Sequence, residues 1–205
     1  GKPQPAYLFV DRGEQLRRLN CHVVYTIPIV LVFSNEANPL ANRFGIDPQV
    51  LPMVITRYAD EALCEAGLEL LRQLILARAF PDTLPSDRLE RVGEIFEDLA
   101  TLDLLCMASG GHVRNLLKLG FSCLQRMDPP FSRECVERVV RQRRNELLRA
   151  ITPDEMALLQ QVKREKKARG ETSYEVLLKS MFVFEYRSDD YGHWFDVNPI
   201  LYDDL

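Results

Sequence analysis

Hydrophobic residues along this chain follow three successive patterns, and the first is typical of buried strands. Residues 22–33 form a nearly continuous apolar run that is rich in β-branched and aromatic side chains, and residues 50–56 form a second run. Runs of this kind occur where parallel strands are covered on both faces. We therefore expect α/β structure over residues 1–57. Because two strands do not make a stable sheet alone, the pattern also predicts a partner segment that supplies further strands.

The second pattern, over residues 58–150, has the spacing of amphipathic helices. Apolar side chains recur at every third or fourth position, and pairs of proline or glycine residues separate one such stretch from the next. This arrangement predicts a small helical bundle. Its helices are expected to cover Tyr58–Phe80, to begin at Ser86, to cover His112–Gln125, and to begin at Ser132.

The third pattern begins at residue 151 with a helix start signal. Thr152-Pro153-Asp154-Glu155 has the form of a capping box with proline at the first helical position, and predicts a helix that runs to Gly170. A short helix over Ser173–Lys179 and an aromatic hairpin over residues 182–197 should follow. Two helices and a hairpin in this order resemble a winged-helix domain. The expected fold class is therefore mixed α/β and mostly α, in three domains: 1–57, 58–150 and 151–205.

Composition narrows the functional classes. The 205 residues carry a net charge of −4, which argues against nucleic-acid binding by the surface as a whole. Five scattered cysteines and three distant histidines favour reduced thiols in the cytoplasm over a disulfide framework or a zinc site. The longest apolar run is about half of the ~20 residues that a membrane span needs. We expect no membrane segment and no signal peptide.

The segment Ala108–Leu119 carries the most specific motif. Gly110 and Gly111 are followed by two residues, Arg114, and a leucine-rich helix. This segment resembles the sensor-2 segment of AAA+ and related signal-transducing P-loop ATPases. The resemblance implies that Gly110, Gly111 and Arg114 bind ATP. Glycines allow close backbone approach, helix-start amides favour anions, and a guanidinium matches phosphate oxygens.

The resemblance extends to most of the chain and implies two further site residues. Residues 22–28 look like the fourth core strand of such ATPases, in which a polar residue at the strand end senses the γ-phosphate, and Thr26 is the best match. Arg43 lies in Ala41–Gly45, where some relatives place an arginine finger that reaches a neighbouring subunit. The C-terminal helices and hairpin are similar to the winged helix that often follows the lid.

The sequence departs from this family in one large respect. The string G-x-x-x-x-G-K-[ST] does not occur, and no apolar strand ending in paired acids precedes Tyr25. Without them the phosphates and Mg²⁺ lack their main ligands, so this chain alone should not hydrolyse ATP. The resemblance implies the nucleotide-sensing and lid part of an ATPase switch, with ATP (and Mg²⁺ in the intact parent) as cofactor. The missing N-terminal P-loop segment is then a required partner.

Two other classes of function remain open. A winged helix could make the chain a DNA-binding regulator, but the expected recognition helix, 174–179, carries Glu175 and a single lysine, so DNA binding is not favoured. The chain could instead be a protein-interaction module whose sheet is completed by another chain or by self-association. Each motif also has a simpler interpretation: Thr26 as a strand former, and Arg43 and Arg114 as solvated arginines.

Overall fold

The structure is a computed structural model that describes residues 4–32, 34–168 and 172–205. The chain divides into two compact units, and each is described by itself. The first unit comprises Gly1–Leu51 and Ala168–Met181, and the second comprises Pro52–Lys167 and Phe182–Leu205.

The α-helices and strands of the described residues are as follows: α1 Gln4–Ala6, α2 Gly13–Arg17, α3 Ala37–Phe44, α4 Glu65–Ala79, α5 Pro85–Arg88, α6 Leu99–Ala108, α7 Val113–Leu124, α8 Arg133–Leu148, α9 Pro153–Glu165, α10 Thr172–Lys179, β1 Val183–Ser188 and β2 Gly192–Val197. A π-helical turn (Tyr7–Asp11) and three 3-10 segments (Ile29–Leu31, Leu89–Glu94 and Pro199–Asp204) complete the regular structure of these ranges. The expected fold class, mixed α/β and mostly helical, is confirmed.

The first unit has a small apolar core. Short helices contribute buried residues to it, and the side chains of Tyr25 and Ile27 pack against it from an extended segment. The buried members are Ala6, Phe9, Val10, Leu31 and Leu40. Helix α10 packs on the 3-10 turn at Ile29–Leu31 and buries Tyr174, Leu177 and Leu178.

The second unit contains the larger core, which is built by packing of α6 against α4, α7 and α8. Leucines and valines at helical spacing fill it, as the sequence pattern predicts for a bundle. Members with no more than 1% exposed surface include Leu71, Leu76, Phe96, Leu102, Leu105, Leu116 and Val136. Helix α9 packs on β2, and the final 3-10 segment packs on α8.

The hairpin of the second unit is the predicted one. Strands β1 and β2 pair antiparallel, with Tyr186 opposite Trp194 and Val183 opposite Val197. Gly192 has a φ of +67° and closes the turn. The aromatic side chains of Phe184, Tyr186 and Trp194 are buried, so they form core and not an exposed stacking surface.

The strand predicted over residues 22–33 is wrong. Residues 22–28 have no regular structure, and a 3-10 turn follows at Ile29–Leu31. Pro28 has no amide hydrogen, and no described strand lies beside this segment, so no ladder of hydrogen bonds can form. Val24, expected to be buried in a sheet, is 95% exposed.

The strand predicted over residues 50–56 is also absent. In the second unit the Met53 amide donates to the carbonyl oxygen of Glu185 at 3.4 Å, and the Val54 amide donates to that of Gly111 at 3.2 Å. These are single bonds to two different elements and not a ladder. A tight turn follows, in which Arg57 and Leu63 form an isolated bridge and Glu61 has a φ of +69°. The helix expected from Tyr58 therefore begins only at Glu65.

Local start signals predicted the later helices well. Ser132 caps α8, and Thr152 and Glu155 form the capping box that begins α9. Ser86 does not cap a helix, because Pro85 already occupies the first turn of the short α5. Helix α9 ends at Glu165, and Gly170, its predicted end, lies outside the described residues. Helix α10 belongs to the first unit and the hairpin to the second, so their assembly into a winged helix stays a prediction.

Two further properties concern the surface. Of the five cysteines, Cys21 is exposed, and the other four are buried and unbridged. Within the described ranges, no helix combines the length and apolarity that crossing a membrane would require.

Candidate functional site

The junction between α6 and α7 is formed by the two glycines of the sequence motif. Gly110 has a φ of +61° and Gly111 a φ of +76°, both in the left-handed region that residues with a side chain rarely adopt. A Cβ atom on Gly111 would lie 1.7 Å from the Val54 carbonyl oxygen, and one on Gly110 would lie 2.6 Å from the Phe184 ring. Both positions therefore require glycine for conformation and for space.

Hydrogen bonds hold this junction to the rest of the second unit. The Tyr186 hydroxyl on β1 donates to the carbonyl oxygen of Gly110 at 2.8 Å, and the Val54 amide donates to that of Gly111. The hydroxyl of buried Ser109 accepts from the Gly111 amide at 3.1 Å and donates to the Cys106 carbonyl oxygen at 2.6 Å. The junction is thus tied both to α6 and to the hairpin.

His112 begins α7 as its N-cap residue. Its Nδ1 accepts a hydrogen bond from the Asn115 amide at 3.0 Å, and its ring stacks on Phe184 with 5.9 Å between centroids. Burial and the positive charge of Arg114 lower the pKa of His112. The ring is therefore neutral at pH 7, which leaves Nδ1 unprotonated and able to cap the helix.

Arg114 lies in the first turn of α7 and is exposed. Its guanidinium makes no hydrogen bond or ion pair with any described residue. The first amides of a helix have no intrahelical partner, and His112 satisfies only that of Asn115. Partial positive charge at the helix start and the guanidinium therefore act on the same space, which is an arrangement suited to an anion.

Arg43 and Thr26 belong to the first unit. The Arg43 guanidinium contacts Glu14 Oε1 at 2.5 Å and donates from Nε to the Val10 carbonyl oxygen at 3.2 Å, so its donors are engaged within that unit. Thr26 lies exposed in the extended segment at residues 22–28. The structure thus brings Gly110, Gly111 and Arg114 together in the second unit, whereas the other two predicted residues lie in the first.

The first unit has an apolar groove of about 690 Å³ beside Thr26. The segment at residues 22–28 and the segment at residues 46–51 line much of it, and both are extended without strand partners among the described residues. Large apolar side chains are exposed there: Val24 at 95%, Leu51 at 92% and Ile46 at 66%. Asp47 is the one charged residue of its lining in the described part of the chain.

The residues that hold the motif in place, Val54 and Tyr186, are not identifiable from the sequence as parts of the site. Val54 acts through its backbone, so no side-chain pattern could identify it. Tyr186 lies in the predicted aromatic hairpin, but its hydroxyl contact with Gly110 depends on a fold that joins residues 76 positions apart.

Metal binding and similarity to other proteins give no further assignment. Within residues 4–32, 34–168 and 172–205, no group of three or more His, Cys, Asp or Glu side chains is arranged to hold a metal ion. Comparison with protein-family models, curated proteins and solved structures finds no significant match to this chain.

Proposed function

We propose that this chain is the nucleotide-sensing and lid part of an AAA+-like ATPase switch, and that Arg114 binds phosphate oxygens of ATP. The observation that carries the proposal is the exposed guanidinium of Arg114, which is unpaired among the described residues. It lies in the first turn of α7, three residues after the second of two glycines in left-handed conformations. An exposed arginine alone would not indicate a binding site. Its position beside free helix-start amides gives it a specific chemistry, the binding of an anion.

The surroundings of Arg114 support a phosphate ligand. No carboxylate pairs with the Arg114 guanidinium in the described part of the chain, and the first turn of α7 contains no acidic residue, so the donors of Arg114 are available to an anion. When bound, ATP supplies the negative charge that this end of α7 lacks. The described residues hold no metal ligand set, so the proposal assigns Mg²⁺ and most phosphate contacts to a P-loop segment upstream.

The hydrogen bonds of the junction suggest how occupancy of the site would reach the rest of the second unit. A ligand that moved Arg114 would also move the helix start and the adjoining glycines. Tyr186 and Val54 are bonded to those glycines, so the displacement would be felt by β1. In the proposed switch, the position of α7 and that of the hairpin are therefore coupled through one buried junction.

The first unit supports the proposed upstream partner. Its segments at residues 22–28 and 46–51 line an exposed apolar groove and have no strand partners among the described residues, as expected of a surface that another segment covers. In the proposal, the P-loop segment covers this apolar surface, and Thr26 lies beside it. A finger role for Arg43 would require release of Glu14. Five unbridged thiols agree with a cytoplasmic location.

The test is nucleotide binding by this chain and by a longer chain that includes the upstream P-loop segment. We expect a fluorescent ATP analogue to bind the longer chain only, and Arg114→Ala to weaken that binding about tenfold, the usual effect of losing a charge-assisted hydrogen bond. Arg133→Ala is the matched control, because Arg133 is exposed on α8 and paired with Glu137.

Unchanged nucleotide affinity in Arg114→Ala would contradict the assigned role of Arg114. Equal weakening by Arg133→Ala would show a general charge effect instead of a site.

A second candidate function is favoured by the apolar groove of the first unit. Exposed apolar surface of this kind marks interaction sites in many proteins, so the chain could be an interaction module completed by another chain. Absence of nucleotide binding by both chains, together with concentration-dependent association in sedimentation, would select this function over the first.

A further inference from the structure

Positive charge is concentrated in one part of an acidic protein. Residues 113–149, which span α7 and α8, contain nine Lys and Arg residues and four Asp and Glu residues, a net charge of +5. The whole chain has a net charge of −4. The segment with excess positive charge therefore contrasts with a strongly acidic remainder, and a single-sign cluster of this kind attracts anions.

A groove of about 430 Å³ lies within this basic region, between α7, α8 and the final 3-10 segment. Its cationic side chains are Lys118, Arg126 and Arg143, and its apolar floor includes Leu119, Val139 and Ile200. The volume falls within the range of small-molecule sites, which combine apolar walls with a few polar groups.

The charges of the groove do not balance. Glu146 is the one carboxylate of its lining in the described chain; it pairs with Arg143 at 3.0 Å and accepts from Gln142 at 3.2 Å. The hydrogen bond from Arg143 lowers the pKa of Glu146, so it is ionised at neutral pH. Among the described residues, the Arg126 guanidinium donates only to the neutral amide oxygen of Gln142. The Lys118 ammonium makes no hydrogen bond or ion pair with any of them.

We propose that the α7–α8 groove binds a phosphate-bearing small molecule, with Lys118 and Arg126 contacting the phosphate and the apolar floor supporting its carbon portion. Two positive charges remain after Arg143 and Glu146 neutralise each other, which matches one phosphate group. Arg114 does not line the groove, so this site is separate from the proposed nucleotide-sensing site and does not depend on it.

A small ligand fits better than a nucleic acid. Beyond the groove, exposed arginines of α8 are interleaved with acids: Arg133 pairs with Glu137, and Arg138 pairs with Glu134. A polynucleotide would need an unbroken row of free cations along its backbone. Arg141 and Arg149 lie outside the groove and have no carboxylate partner among the described residues, but the paired arginines interrupt any continuous row.

The experiment is calorimetric titration of this chain with inorganic pyrophosphate. We expect saturable binding of one molecule per chain that weakens with added salt. Lys118→Ala and Arg126→Ala should each weaken binding about tenfold, as expected when one charged contact is lost. Arg133→Ala, which removes an exposed arginine that is paired with Glu137, should leave it unchanged. Lys118 and Arg126 are both exposed, so their substitution should not disturb the core. Circular dichroism should therefore show that these variants fold.

Four results would overturn the proposal. The first is absence of binding at millimolar ligand. The second is a loss caused equally by Arg133→Ala, which would mean diffuse attraction. The third is binding to an oligonucleotide that tightens with its length and exceeds that to pyrophosphate. Loss in Arg114→Ala but not in Lys118→Ala would also overturn the groove assignment while supporting the site at the start of α7.

Discussion

At the scale of single residues, two of the left-handed glycines in the second unit, Gly111 and Gly192, have very different surroundings. Gly111 is buried against the Val54 carbonyl group, with no room for a Cβ atom. Gly192, in the hairpin turn, has a similar φ of +67°, but no neighbouring atom lies within 4 Å of the place that a Cβ atom would take. Comparing alanine substitutions at the two positions therefore separates the cost of backbone conformation from the cost of steric overlap.

We predict that Gly111→Ala lowers the free energy of unfolding of the second unit by at least about 2 kcal/mol, because backbone strain and overlap with Val54 add. Gly192→Ala should cost only about 1 kcal/mol, the price of the left-handed conformation. Urea denaturation followed by fluorescence of Trp194, the single tryptophan, measures both. Equal losses would contradict the packing described for Gly111.

His112 should make the stability of the second unit depend on pH. Its pKa in the folded protein is lowered from 6.5 by burial and by Arg114. Well above pH 6.5, His112 is neutral in both the folded and the unfolded protein, and its contribution to the free energy of unfolding is at its maximum. As the pH falls below 6.5 the unfolded state takes up the proton first, so stability declines until the pH passes the lower folded pKa. We therefore predict weaker resistance to urea at pH 5.5 than at pH 7.5.

The control for this prediction is His112→Asn. Asparagine keeps a side-chain oxygen that can cap α7 but has no proton to gain in this range. The variant should lose part of the decline between pH 7.5 and 5.5, while the other titrating groups are common to both proteins. Identical profiles of stability against pH for the two proteins would show that His112 does not contribute to the decline.

At the scale of secondary-structure elements, Arg72 connects α4 to α6. Its Nε and Nη2 donate to the two carboxylate oxygens of Asp103 at 2.6 and 2.9 Å, and Nη1 contacts Glu65. Arg72 is only 7% exposed, and these partners raise the pKa of its guanidinium. A buried cation of this kind is tolerated because every charged group has a partner.

Removing one partner should therefore cost more than removing both. We predict that Arg72→Leu lowers the free energy of unfolding by about 3 kcal/mol, since it leaves the Asp103 carboxylate partly buried and unpaired, and that Arg72→Leu/Asp103→Leu recovers most of the loss. Arg138→Leu, which breaks an exposed pair on α8, should change stability by no more than about 0.5 kcal/mol. Additive losses in the double variant would contradict the pairing.

Elements with local determinants were predictable, and elements that need distant partners were not. Ser132 and the Thr152–Glu155 box begin helices through hydrogen bonds within four residues, so the sequence carries the whole signal. The apolar run at residues 22–33 has strand composition, but a strand also needs a neighbour, and no described strand pairs with it. Glu61, with its positive φ, gives no sequence signal that α4 begins only at Glu65.

At the scale of the whole molecule, the candidate site was predictable in part. The sequence motif located Gly110, Gly111 and Arg114, and the structure places them at one helix start. The motif does not specify the contacts of Val54 and Tyr186, because these residues lie more than 50 positions away in the chain. Those contacts follow from packing of the second unit as a whole, and they couple the motif to the hairpin.

The distribution of cysteine and tryptophan has a practical consequence. One thiol of five, Cys21, is exposed, and it lies in the first unit, while the single tryptophan, Trp194, lies in the second. A dye attached to Cys21 would report on the first unit, and the fluorescence of Trp194 would report on the second, without any engineered position. The unaltered chain therefore carries one spectroscopic probe in each unit, and the two signals would show which unit responds as ligands are added.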